Sequence, residues 1–362
     1  MIMEISVLQA NNGDAIHITF QDENGQEKNV LIDSGKKQTF QYTNQHKKKA
    51  DGPLKLLVEK LKSEKKIFDL VILTHIDEDH IGGFISWIEF EPDDAWKMIG
   101  EVWFNSGNVI KTWLKTTLPS LPPIIMNISG SRKTSVGQGV QFEEYLNEHK
   151  LWNGELFVAG KVRDFYGLNF KFLSPDKERL TDLLEKWKTE RPDSLTSKVN
   201  DHQISLKDHQ VNNLKITDES FKEDDAVPNG SSLAFILSNN GNDFLFLGDS
   251  FPSVIKTSLK TFGFDSDNPL PVKLVKISHH GAQSNTSAAV FKSIKSENFI
   301  ISTNSKQDNH PHKQLLGRLI DCHPECTIHF NYGELIDRIF TKQDHADFSK
   351  FKALPIENSF KY

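Results

Sequence analysis

The chain has 362 residues, 37 % of them hydrophobic and 25 % charged, enough to bury a large core in one elaborated domain or two. A net charge of −6 argues against a surface that coats nucleic acid broadly, although Lys36, Lys37 and Lys47 to Lys49 form a local basic cluster. No apolar run approaches the roughly 18 residues that cross a bilayer, and the opening residues lack the basic and apolar regions of a signal peptide, so no membrane association and a cytoplasmic location are expected.

Glu4 to Leu8 and Ala15 to Phe20 read as strands flanking Asn11-Asn12-Gly13-Asp14, whose Asn and Gly suit a tight turn. Asn24-Gly25 signals a hairpin into a third strand, Asn29 to Ile32, which ends at Asp33-Ser34-Gly35. Pro53 precedes an amphipathic helix over Leu54 to Lys62. Leu70 to Leu73 is a buried strand running into Thr74-His75-Ile76-Asp77-Glu78-Asp79-His80-Ile81-Gly82-Gly83, where a helix opens. Glu101 to Asn105 and Leu168 to Leu173 read as further strands, and Phe142 to His149 as a helix. From Asp176 onward the composition turns strongly polar, with one helix over Leu180 to Trp187. Residues 176–228 are therefore expected as an insertion in a domain spanning 1–340, with 341–362 as a C-terminal tail. Beyond the insertion, a hairpin of Ser232 to Leu237 and Phe244 to Leu247 ends at Gly248-Asp249. Val272 to Ile277 ends at His279-His280-Gly281, and Phe299 to Ser302 ends near His310-Pro311-His312. Cys322 and Cys326 give no disulfide framework; they read as partly buried thiols, with a structural zinc at that segment the lesser expectation.

The loop from His75 to His80 holds two imidazoles and three carboxylates in six residues. Loops at strand ends let a rigid scaffold present such groups without burying unpaired charge. Neutral imidazole and carboxylate are ligands for zinc, manganese or iron, so His75, Asp77, Asp79 and His80 are candidate metal ligands. Candidate ligands also follow the strands that end at Asp33, Asp249, His279-His280 and His310 to His312, a pattern that points to one site assembled along one edge of a sheet structure.

A His-x-x-x-Asp-His loop, a later strand-Gly-Asp and a still later His-Gly resemble the metallo-β-lactamase superfamily of metal-dependent hydrolases. The more specific resemblance is to the hydrolase domain of ComEC-type DNA-uptake proteins and its free-standing relatives. It is carried by Asn12-Gly13-Asp14-Ala15, Ile32-Asp33-Ser34-Gly35, Thr74 to Gly83, Asn229-Gly230-Ser231-Ser232-Leu233, Leu247-Gly248-Asp249, Ser278-His279-His280-Gly281 and His310-Pro311-His312, in the family's order. The resemblance implies an α/β fold, a four-layer αββα metallo-β-lactamase sandwich, with two divalent ions, Zn or Mn, where the two sheets meet. Asp77 stands where the superfamily's commonest motif has histidine, and no histidine falls near Pro228-Asn229, so the first site would be oxygen-rich: His75, Asp77 and Asp249. The second would use Asp79, His80, Asp249 and His280, with His279 the alternative to His280.

The chemistry expected from that arrangement is hydrolysis by water activated between the ions, with Asp249 bridging and Asp79 orienting the attacking oxygen. His312 or His310 would protonate the leaving oxygen or hold a substrate phosphate. Asp14 and Asp33 would orient ligand histidines, and Asn229 would lie in the same outer layer or at the substrate. The expected activity is that of a soluble phosphodiesterase or nuclease acting on DNA or RNA. The alternatives are hydrolysis of a small ester, lactam or lactone, and a non-catalytic subunit of a defence or DNA-processing complex. The 176–228 insertion is expected to serve as a lid or to bind a protein partner.

Overall fold

The computed structural model describes residues 2–43, 48–117, 134–189 and 199–362; Lys47 of the basic cluster and residues 190–198 of the polar insertion lie outside them. The first five principal strands are β1 (Glu4–Val7), β2 (Ile16–Gln21), β3 (Glu27–Ile32), β4 (Phe68–Ile72) and β5 (Ile99–Trp103). β1 to β3 form an antiparallel meander, which β4 and then β5 join in parallel. Helix α1 (Pro53–Ser63), with proline at its start, precedes β4, and α2 (Glu78–Phe90) follows it.

The second sheet repeats that plan. β6 (Val162–Phe165), β7 (Leu168–Ser174), β8 (Ala234–Asn239) and β9 (Asn242–Phe246) are antiparallel neighbours in turn. β10 (Leu274–Lys276), β11 (Asn298–Ile301), β12 (Thr327–Phe330) and β13 (Lys352–Pro355) then add in parallel. Further helices are α3 (Ser135–His149) and α4 (Lys177–Thr189), which cover the first sheet, and α5 (Leu206–Lys215), α6 (Pro252–Thr261) and α7 (Lys313–Cys322) on the side of the second. The last strand, β14 (Phe360–Lys361), returns to pair with β1.

Three apolar cores define four layers. Ile5, Ile18, Val30, Ile32, Leu70 and Ile72 of the first sheet pack against Phe170, Phe172, Phe235, Leu237 and Phe244 of the second. The alternate residues point the other way: Leu31 and Val71 meet Leu54 and Val58 of α1 and Phe84 of α2. Across the molecule, Ala234, Ile236, Leu245 and Val275 meet Ile255 of α6 and Leu315 and Leu319 of α7. Strands covered on both faces need apolar residues at every position, which is why Leu70 to Leu73 reads as an unbroken run. The result is the αββα sandwich expected from sequence. Trp103 and Phe104 are core residues, each 1 % exposed.

Residues 341–362 are built into the sandwich, since β13 extends the second sheet beside β12 and β14 extends the first beside β1. These edge strands are short and partly polar, and Pro355 is tolerated at an edge, so their hydrophobic signal is faint. The polar insertion likewise contributes structure: Leu180, Leu183, Leu184 and Trp187 of α4 complete the core over the first sheet. At the far end, Cys326 is buried and Cys322 half-buried, with burial pushing their thiols up to about 12 and about 11. Among the described residues no grouping of metal-ligand atoms includes them. No helix among those residues is long and apolar enough to cross a membrane.

Candidate metal centre

The carboxyl ends of β4 and β9 and the loops after β3, β10 and β11 meet at the edge where the two sheets come together. After β4 the backbone passes through Thr74, His75 and Ile76 to Asp77, which caps α2, so that Asp79 and His80 lie in the first helical turn. The helix is clamped to the loop after β3: the Ser34 backbone N–H and hydroxyl both donate to the His80 carbonyl, at 2.8 and 2.7 Å. Gly83 allows this approach, because a Cβ there would lie 2.2 Å from the Ser34 carbonyl oxygen. On the other side, a Cβ at Gly13 would lie 1.9 Å from the Asp79 carbonyl oxygen, so the Asn12-Gly13-Asp14 turn presses on the same helix start.

Asp249 is the hub. Its backbone N–H donates to the Ser232 hydroxyl at 3.0 Å, and its Oδ2 lies near four imidazole Nε2 atoms: His80 at 3.3 Å, His75 at 3.7 Å, and His279 and His280 each at 3.8 Å. Asp79 Oδ2 lies 3.5 Å from His280 Nε2, and Asp77 Oδ2 lies 3.6 Å from His75 Nε2. His75 Nε2, His80 Nε2, His280 Nε2 and Asp249 Oδ1 are all buried and make no hydrogen bond. A buried polar atom without a partner costs roughly 1–3 kcal/mol. Three such nitrogens around Asp249, beside its own unpartnered Oδ1, suit a bound cation, and the imidazole and carboxylate donors suit a divalent metal.

Each histidine is aimed from behind. Asp33 takes three donors at 2.7 Å: the Thr74 N–H, the Thr74 hydroxyl and His80 Nδ1. His280 Nδ1 faces the Ser302 carbonyl at 2.9 Å and Asp14 Oδ1 at 3.3 Å. Asp14 is in turn held by the buried Lys276, whose ammonium lies 2.6 Å from its Oδ2. His279 and His280 both adopt the left-handed backbone, with φ of 46° and 53°, a conformation that costs a non-glycine residue roughly 1–2 kcal/mol. The kink turns the two rings apart: His280 Nδ1 backs onto Asp14, whereas His279 Nδ1 faces Asn285 Oδ1 at 3.0 Å and Asp224 Oδ2 at 3.6 Å.

Two groupings are close enough to hold an ion from ligand atoms facing the hub, His75-His80-Asp249 and Asp79-His80-His280; a third, Asp14-Asp33-His80, is spent on hydrogen bonds and ion pairs and forms the back wall. His280 belongs to a grouping and His279 does not. Asp77 lies beside His75 but outside the groupings, with its Oδ1 accepting from the Ser135 hydroxyl of α3 at 2.8 Å. Asn229 donates to Asp224 at 2.7 Å and faces His279 Nδ1 at 3.4 Å, which places it behind His279. His310 and His312 stand further out, His310 with its ring 5.0 Å from that of His279.

Charge sorts these groups. Burial, helped by neighbouring Asp79, pushes the Asp77 carboxyl up to about 6 against Ser135 and Lys186. Burial and the adjacent His80 pull His75 down to about 4, which keeps it a neutral ring. His80 moves the other way: burial opposes its charge, but Asp249 and Asp33 outweigh it and raise the group well above 6.5. His279 is raised to about 10 against burial by Asp249 and Asp224.

Several participants carry no motif. Lys276, Asp224, Ser135 and Lys186 reach the site from a strand, from the insertion and from two helices; only Lys276, a charge inside the apolar run of β10, had a local signal. The Ser231 hydroxyl donates to the Pro228 carbonyl, and the Ser232 hydroxyl accepts from the Asp249 N–H.

No family model matches the chain, and no curated protein matches it. Solved structures do align along nearly its whole length. The metallo-β-lactamase-fold protein YhfI from Bacillus subtilis is 11 % identical with a TM-score of 0.42, covering 100 % of this chain and 99 % of its own. A diphosphatase from the PhnP family is 8 % identical with a TM-score of 0.42, over 100 % and 98 %. An isothiocyanate hydrolase from Delia radicum gut bacteria is 13 % identical with a TM-score of 0.35, over 100 % and 98 %. At these scores the likenesses decide neither site nor substrate, and the layered fold stands on its own three cores.

Proposed function

We propose that this chain is a metal-dependent hydrolase of phosphodiesters, with DNA or RNA as the favoured substrate. The observation that carries the metal is the convergence of three buried, unpartnered imidazole nitrogens on Asp249, whose own Oδ1 is also unpartnered. Asp79, His80, Asp249 and His280 would hold one ion, and His75, Asp77 and Asp249 the other, with Zn and Mn both suited to the mixed donors. Divalent ions bound there supply Lewis acidity and an activated water, which is why no serine or cysteine nucleophile is required.

The chain's own part is to fix geometry. Asp33 holds the proton on His80 Nδ1 and so leaves Nε2 to face the hub. The Ser302 carbonyl and Asp14 do the same for His280. Support for phosphodiesters, and for nearness to the DNA-uptake hydrolase domain, is the ordered set of motifs from Asn12 to His312. The carboxylate-rich first half-site distinguishes this reading from ester or lactam hydrolysis, which a small-ester panel would detect.

The test uses chelator-treated protein, resupplied with Mn²⁺ or Zn²⁺ and offered labelled single- and double-stranded DNA and RNA. Metal-dependent cleavage that falls at least a hundredfold in Asp249→Ala is expected, as for loss of a group central to electrostatic catalysis. Cleavage that survives this substitution removes the site assignment, and protein that takes up neither metal removes the hydrolase reading.

A further inference from the structure

A cavity of about 390 Å³ opens beside the metal-ligand cluster, with Phe221, Asp224, His279, His310, His312 and Arg318 among its walls. A volume in that range suits a small ligand or one unit of a polymer. The inner wall is His279, whose Nε2 lies 3.8 Å from Asp249 Oδ2. His310 follows at a ring separation of 5.0 Å, and His312 lies 4.8 Å from His310, so a row of imidazoles leads outward from the hub.

The far wall carries a buried cation with no ion pair and a buried ring N–H with no acceptor. Arg318, on α7, is 4 % exposed. One of its guanidinium nitrogens donates to the carbonyls of Gln283 at 3.0 Å and Thr286 at 2.6 Å, and the group lies 5.0 Å from the Phe221 ring centre. It makes no ion pair with a carboxylate among the described residues; Asp321, on the same helix, and Cys322 act on it only through space. A buried cation without a counter-ion is costly, and burial pulls this guanidinium down to about 10. His312 is 4 % exposed, and its Nδ1 accepts from the Gln283 N–H at 3.0 Å. The neutral ring therefore carries its proton on Nε2, a buried atom with no acceptor.

The acids that share the cavity are committed elsewhere or stand at its rim. Glu223 accepts from the Ser253 N–H and hydroxyl, Asp224 accepts from Asn229 and Asn285, and Asp225 is exposed. Glu223 and Asp224 are thus engaged away from Arg318.

We propose that Arg318 and the His312 Nε2–H form an anion subsite, so that the substrate carries a second negative group, phosphate or carboxylate, beyond the ester that is cut. Its place in the reaction rests on the hydrolase reading, whereas anion binding itself requires no metal. In a nucleic-acid strand the group is the neighbouring phosphate; in a small ester it is a terminal phosphate or carboxylate.

Chelator-treated protein is titrated calorimetrically with inorganic phosphate and, separately, with acetate, which isolates this subsite from catalysis. Wild type binds one of the two, and preference for phosphate or for acetate identifies the source. Arg318→Gln weakens that binding roughly tenfold, Arg318→Lys less, and His312→Phe about threefold, as expected for loss of charge-assisted and neutral hydrogen bonds. Equal binding by wild type and Arg318→Gln overturns the proposal, as does absence of binding to either anion up to tens of millimolar. If Arg318→Gln melts before the titration, His312→Phe decides, and unchanged affinity there refutes the subsite. Nuclease inactivity with intact anion binding would instead strike only the hydrolase reading.

Discussion

Asp33→Asn isolates what a single outer carboxylate does for the metal centre. Asp33 accepts three hydrogen bonds of 2.7 Å, one of them from His80 Nδ1. An asparagine keeps the shape and can still accept from the Thr74 N–H, but it turns an N–H toward His80 Nδ1. That nitrogen must then accept, so the neutral ring that an ion requires keeps its one proton on Nε2, 3.3 Å from Asp249 Oδ2, instead of on Nδ1. In wild type the ring that gives up a proton to the ion keeps the other on Nδ1 against Asp33, whereas in the variant the remaining proton occupies the metal-facing nitrogen. Outer-layer partners of this kind change metal affinity by roughly 10–100-fold, or about 1.4–2.7 kcal/mol. Metal affinity is read by competition with a chromophoric chelator, and thermal melting with and without Zn²⁺ gives the same difference as lost stabilisation. The expected pattern is a melt close to wild type without metal and a smaller gain on adding it. Affinity within twofold of wild type would refute the argument that Asp33 sets the His80 tautomer.

Further outcomes follow from the same geometry. Gly13→Ala drives a methyl group against the Asp79 carbonyl, so both metal content and melting temperature should fall, at a cost of roughly 3 kcal/mol or more; Gly25→Ala, in open space but at φ +74°, should cost only about 1 kcal/mol and leave metal content intact. His80 and His280 are raised above 6.5 in the metal-free protein, so ion binding should release protons and tighten as pH rises; calorimetric enthalpies identical in buffers of different ionisation enthalpy would contradict this. His17, buried on Asn29, is held down to about 4, mainly by burial, from 6.5. Between those values the unfolded chain binds the extra proton, so this contribution is complete above about 6.5 and is lost as pH falls toward 4. By pH 5 the loss amounts to about 2 kcal/mol. Denaturant midpoints should show His17→Gln losing less stability than wild type between pH 7 and pH 5.

The candidate ligands could be picked out because each sits in a short motif at a strand end: His75 to His80, Gly248-Asp249, His279-His280. Both strand ends and turn glycines leave local marks in sequence. What aims those ligands was not legible. Ser135 and Asp77 are 58 positions apart, and Asp224 meets Asn285 across 61. Nothing local to Asp224 marks it within a polar stretch, and Arg318 looks like any charge on an amphipathic helix until its burial is seen. Lys276 was readable in principle, since a lysine within the apolar run of β10 must find an anion, and Asp14 is that anion. The edge strands β13 and β14 escaped notice because their pairing partners lie far away in the chain and supply what their own residues lack.

The pairing of β14 with β1 brings Met3 and Tyr362 together, each donating its backbone N–H to the other's carbonyl at 2.8 and 2.9 Å. Residues 352–361 serve as a clasp, closing an edge of each sheet in a single pass, so detaching them opens both halves of the sandwich together. Unfolding should therefore run through both sheets as one event. Peptide-linking Met3 to Tyr362 through a short flexible bridge and opening the chain at Gly241, an exposed turn, would make a circular permutant with every strand neighbour preserved.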